Sequence, residues 1–106
     1  MRTSRREGRA GLGDTSYEIH ETQTFRDDLD RLAPPTSARV RRKITEFVCS
    51  ILREQPYHGP WIKRLKGRSP ETWRFRIGPW RLFYEIDESR RAVYLIALDD
   101  RKDAYR

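Results

Sequence analysis

In the stretch Trp73-Arg74-Phe75-Arg76-Ile77-Gly78-Pro79-Trp80-Arg81-Leu82-Phe83-Tyr84, apolar residues recur with period two on either side of Gly78-Pro79. That pattern predicts two half-buried strands closed by a tight hairpin. A two-residue turn with glycine first suits the pair, because Gly78 tolerates positive φ and Pro79 fixes the φ of the second position. Counting outward from the turn, Ile77 opposes Trp80, Arg76 opposes Arg81, and Arg74 opposes Phe83. Like charges directly across a strand pair cost several tenths of a kcal/mol, up to about 1. Folding therefore gives no reason for Arg76 to face Arg81 with Arg74 on the same face, and the row predicts an anionic ligand. Planar guanidinium forks match phosphate oxygens in two-point contacts and can stabilise charge that builds during phosphoryl chemistry. The plainer alternative is a solvated basic face paired with Glu85 and Glu71.

Other chemistries find less support. His20 and His58 have no Cys or second His at ligand spacing, so no metal site is expected. There is no glycine-rich phosphate loop and no recognisable Ser-His-Asp set, and no cofactor is expected. The single cysteine, Cys49, cannot close an internal disulfide. On an ideal helix it lies about 180° from Val40, away from the apolar stripe. Trp73 and Trp80 share a face with Phe75, Ile77 and Leu82, which makes them core or hairpin anchors rather than stacking platforms.

The elements that must hold the arginine row are legible in outline. Residues 1–16 are rich in Arg, Gly, Ser and Thr, with hardly an apolar side chain, and read as a disordered basic tail. Tyr17 to His20 alternates as a first strand. Thr22 or Thr24 can cap a short helix carrying Phe25, Leu29 and Leu32, which Pro34-Pro35 stops. Thr36 or Ser37 can cap a longer helix in which Val40, Ile44, Phe47, Val48, Ile51 and Leu52 form one stripe, ending before Pro56. Residues 56–70, with three prolines and two glycines, read as an irregular connection. Strands follow at about 72–78, 80–87 and Ala92 to Leu98. The expectation is one α+β domain over 17–106: a strand, a two-helix hairpin, then a three-stranded antiparallel meander. Together these form one mainly antiparallel sheet covered on one face by the helices. Antiparallel return of the last strand brings Asp99, Asp100 and Arg101 back beside Arg76 and Arg81.

With 106 residues the chain has room for one modest core. Its net charge of +7 and pI of about 10.1 favour a polyanionic partner: nucleic acid, an anionic membrane or an acidic protein. No apolar run approaches the roughly 18–20 residues of a spanning helix, and the basic N-terminus lacks a signal's apolar region, so a cytoplasmic protein without membrane contact is expected.

Taken together, Leu65-Lys66-Gly67, the Trp73–Tyr84 hairpin and the closing Arg101-Lys102-Asp103-Ala104-Tyr105-Arg106 resemble the RelE/ParE superfamily of toxins from bacterial toxin–antitoxin operons. The likeness extends over nearly the whole chain after about residue 16. It implies a RelE-like fold, a cognate antitoxin partner in a toxin–antitoxin hetero-oligomer and, in the RelE branch, metal-independent cleavage of messenger RNA in the ribosomal A site. Carried over by position, the resemblance assigns Arg74 and Arg76 to the basic residues of the second strand. Arg81 becomes the arginine on the scissile phosphate, Arg101 the basic residue proposed as general acid, and Tyr105 the tyrosine that stacks on a base. Lys63, Lys66, Arg42, Lys43 and Lys102 are further candidates for gripping RNA.

Two departures stand out. Arg76 occupies a position where some relatives have lysine, and Asp99-Asp100 stands where the family often has Gly-His. Glu85, Asp100 or the ribosome itself are then the candidates for removing the proton. A gyrase-directed toxin of the ParE type, and an inactive toxin that serves only in an operator-binding complex, are the other readings.

Overall fold

A computed structural model describes residues 16–100. A short strand β1 (Glu18–Glu21) leads into α1 (Gln23–Asp30), whose first turn is capped by the Thr22 hydroxyl accepting from the Phe25 amide at 3.2 Å. After Pro34-Pro35 comes α2 (Thr36–Lys43), which runs through a π-helical turn, Ile44–Val48, into α3 (Cys49–Glu54). Four strands complete the domain: β2 (Ile62–Leu65), β3 (Thr72–Ile77), β4 (Trp80–Asp87) and β5 (Ala92–Asp100). They form one sheet in the order β1-β5-β4-β3-β2, in which only the β1–β5 pairing is parallel. The α+β architecture with helices on one face of a mainly antiparallel sheet is therefore as expected.

The sheet's inner face carries Phe75 and Ile77 from β3, Leu82 and Tyr84 from β4, and Val93, Leu95 and Leu98 from β5, all buried. Against them pack Phe25 and Leu29 of α1 and Val40, Ile44, Val48 and Leu52 of the longer helix. Each fully buried side chain of this size contributes about 1.5–3 kcal/mol. Tyr84 is fully buried, and its hydroxyl donates to the Pro56 carbonyl at 2.7 Å, as a buried phenol requires. Trp73 and Trp80 pack at the margin of this core, as anchors.

Three expectations need correction. Residues 56–70 are not irregular throughout: Ile62–Leu65 pairs antiparallel with β3, so the meander has four strands rather than three. This edge strand is too short and too charged to show a period of its own, and β3 imposes its conformation. Neither Thr36 nor Ser37 caps the longer helix; it begins at Thr36, and its start has no side-chain cap. Cys49 is buried, not opposite the stripe. The π-helical turn inserts one extra residue, which sets the following helix back by about 100° relative to an unbroken α-helix and swings Cys49 inward. Burial pushes its thiol pKa up, which disfavours the thiolate. The basic tail up to residue 15, and Arg101 onward, lie outside the described residues.

Candidate active site

The hairpin register is the one that alternation predicts: Ile77 pairs with Trp80, Arg76 with Arg81, and Arg74 with Phe83. Gly78 sits at φ +56°, the left-handed region that glycine enters without a Cβ penalty, and Pro79 follows it. Because Phe75, Ile77 and Leu82 take the inner face, Arg74, Arg76 and Arg81 emerge on the outer one.

Two neighbouring strands extend this row. On β2, Lys63 lies opposite Arg74. On β5, Asp99 lies opposite Arg81. Directly opposed residues have Cβ atoms roughly 4.5–5.5 Å apart, and positions two along a strand are roughly 6.6 Å apart. Lys63, Arg74, Arg76 and Arg81 thus form a cationic block that a few linked phosphates could span.

Arg81 is the most tightly held member. Its Nη2 donates to Asp99 Oδ2 at 2.6 Å, and its guanidinium lies 5.4 Å from the centroid of the Phe83 ring. Its side chain is only 28% exposed, and its buried Nε has no hydrogen-bond partner among the described residues. Arg76 is exposed, with its backbone amide donating to the Trp61 carbonyl at 2.9 Å. Arg74 is half-buried between them and Lys63.

Beside the block runs a cleft of about 670 Å³. Its walls include Phe83, Asp99 and Asp100, with Arg68 from the β2–β3 loop and Arg31 from the end of α1. Arg31 carried no signal in the sequence, since α1 is placed against β5 only by tertiary packing. Asp28 links the two: its Oδ2 accepts from the Leu98 amide at 2.9 Å, and its carboxylate also pairs with Arg31. Arg68 was legible only as one more charge in the connection.

The other candidates divide between the β2 edge, the hairpin turn and the helices. Lys66 lies with Lys63 and Arg68 along the β2 edge. Arg42 stands exposed on α2, in the helical layer behind the sheet, whereas Lys43, whose ammonium lies over the Phe47 ring at 4.8 Å, lines a cavity at the hairpin turn together with Arg76 and Gly78. Arg101, Lys102 and Tyr105 fall outside the described residues. Asp99 arrives beside Arg81 as antiparallel return requires, whereas Asp100 pairs with Trp80 and so is out of phase with the arginine row. Glu71 pairs with Arg64 at 2.6 Å, not with the row, and Glu85 lies opposite Tyr94. His20 stacks on Tyr94, with centroids 5.2 Å apart. No helix among the described residues is long and apolar enough to cross a membrane.

Residues 19–105 match the family model of the ParE toxin of the type II toxin–antitoxin system parDE. Toxin RelG of Mycobacterium tuberculosis is 33% identical over 92 residues, covering 85% of this chain and 97% of that protein. Among solved structures, the RelBE2 toxin–antitoxin complex of M. tuberculosis aligns with a TM-score of 0.62 and 30% identity, over 81% of this chain and 99% of that one. The RelE–RelB complex of Pyrococcus horikoshii shares the fold at a TM-score of 0.60 and 21% identity, over 81% and 96% of the two chains.

Proposed function

The chain belongs to the RelE/ParE superfamily of toxins of type II toxin–antitoxin systems, and from that premise we propose that it is a ribosome-dependent endoribonuclease. It cleaves messenger RNA in the ribosomal A site, arrests translation, and is neutralised in the cytoplasm by a cognate antitoxin. The observation that carries this reading is the opposition of Arg76 and Arg81 on the outer sheet face, with Arg74 and Lys63 alongside.

RNA cleavage without a metal needs three things: removal of the 2′-hydroxyl proton, neutralisation of the equatorial phosphate oxygens, and stabilisation of the leaving 5′-oxygen. Arg76 and Arg81 serve the second need, holding the scissile phosphate between two strands. Arg74 and Lys63 hold the adjoining backbone. Arg101 stabilises the leaving oxygen and Tyr105 stacks on a base. Lys66 and Lys102 add backbone contacts. The products are a 2′,3′-cyclic or 3′-phosphate and a 5′-hydroxyl.

The decisive experiment is translation of a defined messenger in vitro, with and without ribosomes, while new 5′ ends are mapped. Cuts inside codons that require ribosomes support the reading. Growth arrest with unchanged messenger ends rules it out.

The match to a ParE model favours one other reading, a gyrase-directed toxin that cuts nothing. A DNA-damage response with intact translation would select it. The antitoxin is expected to be an acidic segment that orders on this basic body, as charge complementarity favours. The RelBE2 complex of M. tuberculosis, 30% identical, was solved with its antitoxin and supports that pairing. Co-purification with the product of the adjacent reading frame tests it.

A further inference from the structure

An arginine row can hold the phosphate, but it cannot start the reaction, because a guanidinium stays protonated and is a poor proton acceptor. A base must therefore lie within reach of the 2′-hydroxyl next to a phosphate held by Arg76 and Arg81.

The described carboxylates differ in position. Glu85 is on the same face of β4 as Arg81 but four residues further on, roughly 13 Å at 3.3 Å per residue. Asp100 pairs with Trp80, on the alternate phase of β5. Asp28 is engaged by the Leu98 amide and by Arg31. Asp99 alone shares the row, since Arg76, Arg81 and Asp99 are successive cross-strand neighbours on β3, β4 and β5. Its side chain is 37% exposed and it lines the cleft beside Phe83. One oxygen, Oδ2, accepts from Arg81 Nη2 at 2.6 Å, and among the described residues Oδ1 accepts nothing.

We propose that Asp99 is the general base of the cleavage reaction, its Oδ1 taking the 2′-hydroxyl proton while Oδ2 stays on Arg81. The inference rests on the endoribonuclease reading above and deepens it. As the proton passes to Oδ1, the 2′-oxygen forms its bond to phosphorus and the bond from phosphorus to the 5′-oxygen breaks. The 5′-oxygen takes a proton from solvent, and Asp99 later releases its own to solvent. The products are a 2′,3′-cyclic phosphate and a 5′-hydroxyl. Arg81 then has two tasks on one rigid plane, fixing the base through Nη2 and presenting its remaining donors to the phosphate.

The test is single-turnover cleavage of a ribosome-bound messenger by the parent chain, Asp99→Asn and Asp99→Ala, with and without added sodium formate. Asparagine keeps an acceptor oxygen for Arg81 but cannot take the proton; alanine removes both and leaves space. Both variants are expected to lose about 10²- to 10⁴-fold in rate, with the messenger concentration at half-saturation little changed. Formate should restore the alanine variant in a concentration-dependent way and leave the asparagine variant slow, and that rescue would also show that the alanine variant is folded. An asparagine variant at the parental rate would reduce Asp99 to a positioning residue for Arg81 and overturn the proposal, as would an alanine variant that formate does not restore. A parent chain that leaves the messenger intact sinks the endoribonuclease reading itself, whereas a cutting parent with a fast asparagine variant sinks only the role of Asp99.

Discussion

At the residue scale, charge alone does not explain Arg81. A lysine there would keep the positive sign but lose the planar fork, and an ammonium, with all its donors on one nitrogen, cannot present a parallel two-point contact to phosphate while it holds Asp99. Arg81→Lys is therefore expected to slow cleavage by roughly tenfold to a thousandfold, about 1.4 to 4 kcal/mol, with a smaller effect on ribosome binding. Arg90→Lys, in the exposed turn between β4 and β5, should leave both unchanged. Single-turnover rates and ribosome co-sedimentation separate the two effects, and an Arg81→Lys chain that cuts at the parental rate would remove the arginine row from the chemistry. The Arg76–Arg81 opposition was legible because a two-residue turn and period-two alternation leave one register. The partner of Arg81 was legible only to within a residue or two. Whether Asp99 or Asp100 meets it depends on the phase in which β5 pairs with β4, and that pairing slips at Phe83/Tyr84.

At the scale of elements, the site depends on two joints. The first is the hairpin turn. Gly78 sits at φ +56°, and an added Cβ would meet no atom within 4 Å, so Gly78→Ala carries a backbone cost and no clash. The expected loss is about 1–2 kcal/mol, read as a lower urea midpoint at unchanged slope. A midpoint equal to the parent's would mean that the turn relaxes at no cost. The second joint ties the β2 approach to the sheet through the Tyr84 hydroxyl and the Pro56 carbonyl. Burial pushes the pKa of this phenol up, so it remains a donor. Tyr84→Phe should cost about 1–3 kcal/mol by stranding that carbonyl, again at unchanged slope. Two elements escaped the sequence for physical reasons. The β2 strand owes its conformation to β3 rather than to its own pattern, and a π-helical turn has no compositional mark. Cys49 shows the consequence: its buried side was hidden because a phase calculated along an ideal helix fails once a residue is inserted.

At the scale of the whole molecule, one cluster joins distant segments at the end away from the arginine row. The Tyr17 and Tyr57 hydroxyls both donate to Glu88 Oε1 at 2.7 Å, and Arg91 pairs with the same carboxylate. The Arg91 guanidinium also lies 4.2 Å from the Tyr17 ring centroid. The hydrogen bond from Tyr57, then that from Tyr17, and then Arg91 hold the Glu88 carboxyl below its ordinary value of 4.5. A depressed folded-state pKa stabilises the fold at pH values above 4.5, and that contribution disappears as pH falls through the lower folded-state value. The difference in urea midpoint between the parent and Glu88→Gln should therefore be full at neutral pH and shrink as pH falls below 4.5. A difference that is flat with pH would show that the carboxylate charge is not what the two tyrosines hold.

The +7 charge is also divided by the sheet, and this makes the RNA path measurable. Lys63 lies on the outer face opposite Arg74, whereas Arg42 is an exposed residue of α2, in the helical layer on the other side of the sheet. Each phosphate that a cation neutralises releases condensed counterion, so on a single strand the slope of log K against log salt changes by about 0.7 for every phosphate left without its cation. A messenger strand that follows the arginine row should shed about that much slope in Lys63→Ala and none in Arg42→Ala, although both substitutions remove one positive charge. A general attraction between a basic protein and the ribosome would instead respond to the two changes alike. Binding of each variant to programmed ribosomes across a salt series distinguishes these cases. An unchanged slope in Lys63→Ala with a reduced one in Arg42→Ala would put the RNA against the helices and leave the outer face without its proposed ligand.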